Sequence, residues 1–78
     1  MNEEMIKDYS ARLLKMARKK EGLTQQDLAD LLGTTKSWIG YCEIHGVGKL
    51  VTLARIANAL GYELRLPAFI KKNERRRS

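Results

Sequence analysis

The stretch TQQDLADLLGTTKSWIGYCE, residues 24–43, carries two short helical patterns joined by a four-residue turn. Thr24 is a good N-cap, and Asp27 three residues on can return a hydrogen bond in the manner of a capping box. The helix it opens, Gln25 to Leu32, points Leu28, Ala29 and Leu32 inward, and Gly33 stops it with an expected positive φ. Thr35 caps the next helix, Lys36 to about Glu43, in which Ile39 and Cys42 face a core while Lys36, Ser37, Gly40 and Tyr41 lie on the other side. Glycine at 40 lowers intrinsic helicity by about 1 kcal/mol relative to alanine. Tertiary packing must therefore hold this helix, and the pair is expected to sit inside a larger bundle.

The flanking sequence supplies that bundle. Leu13, Leu14 and Ala17, with Ile6 and Met16, recur at helical spacing from about Ile6 to Lys20, before Gly22. After a glycine-containing loop, IHGVGK, residues Leu50, Leu53, Ile56, Ala57 and Leu60 mark a fourth helix ending at Gly61. The period then changes: in YELRL, Tyr62, Leu64 and Leu66 alternate with Glu63 and Arg65, the pattern of a half-buried strand, and Pro67 ends it. A lone strand cannot satisfy its backbone, and no second convincing strand is read in the chain. An identical strand from a second copy is the economical partner, which makes Tyr62, Leu64 and Leu66 the expected dimerisation residues. The expected fold is mainly α, four helices plus a short C-terminal strand pairing across a dimer. Residues 1–61 form the helical domain, 62–70 the dimerisation strand with a short apolar extension (Ala68, Phe69, Ile70), and 71–78 a basic tail expected to be mobile.

A chain of 78 residues makes one small domain, which buries only about 60% of its unfolded surface and gains from a partner. Its formal charge is +6, and the last eight residues, KKNERRRS, hold five basic groups and one acidic one, leaving +2 for the rest. That balance favours polyanions, nucleic acid first, or serves solubility alone. Cys42 is the only cysteine, so neither an internal disulfide nor a zinc set nor a CxxC redox pair can be built. The polar, acidic start MNEEMIKDYS does not read as a signal peptide, and no apolar run approaches a membrane span. A cytoplasmic location without membrane association is expected. The dispersed acids and single histidine offer no nucleophile, acid–base pair or metal set, so neither catalysis nor a cofactor is expected.

Leu14, Ala17, Arg18, Gly22-Leu23-Thr24-Gln25, Leu28-Ala29, Leu32-Gly33, Ile39, Glu43, Leu50, Leu53, Ile56, Ala57 and Leu60-Gly61 together resemble the lambda-repressor-like, XRE-type helix-turn-helix family. The terminal YELRL adds a narrower likeness to HipB-type antitoxins, in which a short strand pairs across the dimer and a HipA-type kinase is bound. The family resemblance implies that the helix from Lys36 reads bases, with Lys36, Ser37 and Tyr41 placed for base or phosphate contact. Trp38 has two open readings, DNA contact or packing over the turn. Gln25 matches a residue that binds backbone phosphate, and a helix N-terminus favours an anion independently of the family. Thr34 and Thr35 lie at the turn, where Thr35 is an N-cap whose hydroxyl can also meet phosphate, and Lys49 precedes the fourth helix as a further phosphate candidate. Arg18 and Glu43 match a family pair that links the first and third helices by a salt bridge. The segment EIHGVGKLVTL departs from the family, one residue shorter and without its usual proline and serine, which leaves that loop's phosphate contacts open.

The expected function is a sequence-specific binder of double-stranded DNA, a dimeric repressor of a palindromic operator. Its specialised form is the antitoxin of a toxin–antitoxin pair. A non-enzymatic adaptor built on the same helices is the alternative.

Overall fold

The structure, a computed structural model, describes residues 3–65 and 68–72. Four helices form in chain order: α1, Glu3–Lys20; α2, Gln25–Leu32; α3, Lys36–His45; and α4, Leu50–Ala59. They are followed by strands β1, Tyr62–Arg65, and β2, Ala68–Lys71. The fold is mainly α, as the hydrophobic periods require.

α1 begins before Ile6, with Glu3 and Glu4 in the first turn, where carboxylates complement the positive end of the helix dipole. Leu14 is fully buried, but Met16, read from the sequence as a member of the apolar stripe, is 64% exposed. α2 has the bounds its pattern predicts. Thr24 Oγ1 accepts from the Asp27 N–H at 3.0 Å and the Asp27 carboxylate accepts from the Thr24 N–H at 2.9 Å. The hydrogen bonds from the Thr24 backbone and side chain hold the Asp27 carboxyl below its usual range. Gly33 (φ 69°) ends the helix in the left-handed region, and the Thr34 N–H closes the turn on Ala29 O.

α3 runs two residues beyond the expected Glu43. Ile44 and His45 belong to the helix rather than to the loop, and Gly46, at φ 83° and ψ 178°, terminates it. That conformation is open essentially to glycine alone. Residues Gly46 to Lys49 then cross to α4, pinned by Ser10. The Ser10 hydroxyl is fully buried. It accepts from the Val47 N–H at 2.7 Å and lies 3.2 Å from Val47 O and 3.1 Å from Lys7 O, either of which can take its proton. Val47 itself is buried in the core. Ser10→Ala strands the Val47 amide, and is expected to lower the unfolding free energy by about 1–3 kcal/mol, measurable by urea denaturation.

The C-terminal segment corrects the sequence reading. β1 is paired within the chain: β1 and β2 form a two-stranded antiparallel sheet with Tyr62 opposite Lys71, Glu63 opposite Ile70, Leu64 opposite Phe69 and Arg65 opposite Ala68. The stretch AFIK is too short to show a period, so it reads as a mere apolar extension. With only residues 66 and 67 between the strands, it returns directly along β1 and satisfies the backbone that a second copy was invoked to satisfy. Tyr62 is likewise an intrachain core residue, 7% exposed. Its hydroxyl donates to the Glu21 carboxylate at 3.0 Å, and Lys71 Nζ reaches the same oxygen at 2.8 Å while lying 5.2 Å from the centre of the Tyr62 ring. The hairpin is thereby fastened to the end of α1, and Lys71, assigned from the sequence to the tail, is part of β2. Of the expected dimerisation residues, Leu64 is partly buried against the core, and Leu66 lies outside the described residues, as does the tail from residue 73.

Candidate nucleic-acid interface

The turn between α2 and α3 fixes the angle of α3. Gly33 makes the reversal, Thr34 is hydrogen-bonded back to α2, and Thr35 Oγ1 accepts from the Trp38 N–H at 3.1 Å to start α3. Ile39 and Cys42 anchor α3 in the core. The other edge of the helix is left outside, where Lys36, Ser37 and Tyr41 are exposed. Lysine, serine and tyrosine offer an ammonium and two hydroxyls on a helix of groove-filling width, the chemistry that base edges and phosphates accept.

Behind that edge is a polar knot. The Arg18 guanidinium grips Glu43 in two-pronged fashion, Nε–Oε2 at 2.5 Å and Nη2–Oε1 at 3.0 Å, while Nη1 donates to Leu23 O at 2.8 Å. Gln25 Nε2 donates to the same carboxylate at 3.1 Å. One acid of α3 therefore gathers α1, the connection to α2 and the first residue of α2. Burial pushes the Glu43 carboxyl up, but the hydrogen bonds from Arg18 and Gln25 and the charge of Arg18 outweigh it and leave the group below its usual range. The hydrogen bond to Glu43 raises Arg18 against the opposing effect of its own burial.

Gly40 has a specific neighbour. A Cβ placed there would meet the Gln25 amide at 3.7–3.8 Å, so the Gln25 side chain lies across α3 at this glycine. Gln25 is thus held by α3 through its amide nitrogen while it stands at the N-terminus of α2. Of the two readings of Trp38, packing accounts for its inner side: the indole is partly buried against the core. It also lines a 280 Å³ recess with Tyr41, His45, Lys49 and Thr52. Tyr41 and His45 pack there with ring centres 4.5 Å apart and ring planes tilted by 40°. Lys49 is exposed at the N-cap of α4, where its side chain makes no capping hydrogen bond. The fold brings Lys36, Ser37, Trp38, Tyr41, Gln25 and Lys49 to α3 and its two borders, whereas Tyr62 and Leu64 lie in the hairpin packed on α4.

Cys42 is 2% exposed, and burial raises its thiol to about 11, so at neutral pH it is an inert core side chain. No group of three or more His, Cys, Asp or Glu able to hold a metal occurs among the described residues. Nor, among the described residues, is any helix long and apolar enough to cross a membrane.

Two short helices locked at a turn, the second with an exposed polar edge, define a helix-turn-helix domain. Comparison with family profiles agrees: the family described as "Helix-turn-helix domain" matches residues 11–66, most of the chain. The protein belongs to that family, of which the XRE-like regulators are the kind its motif fits. Comparison with curated proteins and with solved structures returned no significant match.

Sequence reasoning missed Ser10, although its spacing of four residues from both Ile6 and Leu14 puts it on the buried stripe of α1, and the direct link between Gln25 and Glu43. The second carried a signal: a glycine on α3 opposite a glutamine that opens α2.

Proposed function

We propose that this protein is a dimeric, sequence-specific DNA-binding repressor that acts by occupying a palindromic operator. The observation that carries the reading is the exposed edge of α3. Lys36 and Ser37 sit at the N-terminal end, where a helix in the major groove reaches base edges, and Tyr41 follows one turn on. Lys36 serves as donor to guanine, and Ser37 and Tyr41 bind base or phosphate. Trp38 contributes the outer side of its indole. Gln25, Thr34, Thr35 and Lys49 are assigned to backbone phosphates on either side of the groove.

A second copy is supported by the outer edge of β1, which carries no strand partner among the described residues. Beside it lies an open groove of 690 Å³ whose walls include Val51, Ala54 and Leu64. An unpaired edge next to an apolar wall favours self-association. A two-fold there sets two recognition helices on one face of the duplex, about 34–36 Å apart for half-sites one turn from each other. The antitoxin form of this function adds a HipA-type kinase, and a kinase that co-purifies with the protein in stoichiometric amount tests it.

Selection from a random duplex pool with the purified protein, followed by mass determination of the complex, tests the main reading. The expected outcome is an enriched inverted repeat bound by two copies, with Lys36→Ala and Ser37→Ala relaxing the preference within each half-site by about 1–3 kcal/mol per lost base contact. No enrichment, or enrichment indifferent to both substitutions, rules the reading out and leaves the adaptor alternative.

A further inference from the structure

We infer that α1 carries a second phosphate-binding row, Arg12, Lys15 and Lys19, that grips the DNA backbone beyond the groove-reading edge of α3. This rests on the function proposed above and adds a surface to it. The three cations recur at helical spacing along one exposed strip of α1. Lys19 follows Arg12 by seven residues, so the strip is about 10 Å long at 1.5 Å per residue.

Together with Ala11, Met16 and Glu43 they line an open groove of 450 Å³. Glu43 is the residue that Arg18 and Gln25 both bind. The row therefore starts at the knot that holds the N-terminus of α2, and a backbone received at Gln25 passes next to it.

Charge bookkeeping separates this strip from ordinary solubilising lysines. Elsewhere the described cations are mostly engaged: Lys7 with Glu3, Arg65 with Glu63, Lys71 with Glu21, Arg18 with Glu43. Arg55 donates to Leu32 O, and Lys72 to Asn58. Arg12, Lys15 and Lys19 make no salt bridge among the described residues. Of the acids they adjoin, Glu43 is already neutralised by Arg18 in a two-pronged pair, and Asp8, one turn before Arg12 and in the same recess, makes no salt bridge with it. Three cations without a salt bridge on one helix strip, with Lys20, Lys36 and Lys49 likewise making none among the described residues, leave positive charge available to a polyanion. Met16, 64% exposed in their midst, adds an apolar contact for sugar rather than a site for a second anion.

Salt dependence of operator binding provides the test, because each phosphate contact contributes about 0.9 to the slope of log K against log salt. The full chain and a variant carrying Arg12→Gln, Lys15→Gln and Lys19→Gln are titrated with the selected duplex and with a random duplex. Glutamine keeps the helix propensity of these positions. The expected result is a slope reduced by about 2–3 for both duplexes, with the base preference unchanged. Lys72→Gln, which removes a cation bound to Asn58, is expected to leave the slope unchanged.

An unaltered slope in the triple variant overturns the row while leaving the proposed function intact. Equal loss per charge from Lys72→Gln also overturns it, since net charge alone would then be acting. If the variant binds duplex normally but loses binding to polyglutamate that the parent shows, the strip serves an acidic protein instead and the inference fails. A parent that enriches no duplex removes both the function and the row.

Discussion

Gly46→Ala is expected to destabilise the protein by about 3 kcal/mol or more, enough to leave a domain of this size partly unfolded at 37 °C. Two separate penalties act. The backbone at φ 83°, ψ 178° lies in a region that a side chain rarely occupies, at a cost of about 1–3 kcal/mol. A Cβ at this position would also fall 2.0 Å from Lys7 O and 2.6 Å from Lys7 Cα, backbone atoms inside α1 that cannot swing aside. Relieving that overlap forces α3 and α1 apart, with a further cost of about 1–3 kcal/mol.

Gly33→Ala supplies the control, because Gly33 is also left-handed at φ 69° but a Cβ there meets nothing within 4 Å. Its expected cost is about 1–2 kcal/mol, the conformational penalty alone. Urea denaturation of the two variants separates the effects. Equal losses would mean that the contact between Gly46 and α1 yields freely, and that the loop is not a rigid strut between α3 and α4.

These two glycines also mark how much of the fold was legible in the sequence. Gly33 follows an amphipathic turn with a capping box at its other end, and every local signal agrees on where α2 starts and stops. Gly46 sits in a run of mixed residues whose conformation is dictated by α1, far earlier in the chain, through Ser10, which bonds Val47 across 37 residues, and Lys7. Local pattern does not encode such a contact, which is why the helical signal fades near Glu43 while α3 runs on to His45. The same limit explains the hairpin. Tyr62 to Arg65 alternates clearly, but AFIK is defined by what it pairs with rather than by its own period. At the site, the exposed face of α3 followed directly from Ile39 and Cys42 pointing inward. The orientation of Trp38 and the grip of α3 on Gln25 depended on packing that no helical wheel contains.

The second large effect is expected at the acid that gathers the knot. Glu43→Gln leaves the Arg18 guanidinium, whose side chain is 9% exposed, without its counter-charge. Breaking one side of a buried pair in this way costs about 3–5 kcal/mol. Replacing both partners, Arg18→Met with Glu43→Leu, is expected to cost much less than either single change, because no buried charge is then left alone. A double-mutant cycle measured by denaturation checks this, and additive losses would show that the two side chains act independently.

The pair also predicts an acid limb. Glu43 is held below its usual range in the folded protein, so its contribution is fully present above the ordinary carboxylate pKa and is lost as pH falls through the depressed one. Asp27 and Glu21 are shifted the same way, Glu21 chiefly by the hydrogen bond from Lys71, and add to the same limb. Stability should therefore fall below about pH 4 in the parent, and the apolar double variant should show a shallower fall. On the phosphate contact proposed for Gln25, which is tethered to the carboxylate that the double variant lacks, that variant should also bind duplex DNA more weakly even where it is fully folded. Unimpaired binding by the folded double variant would show that Gln25 needs no support from α3, and would confine the Arg18–Glu43 pair to holding the helices together.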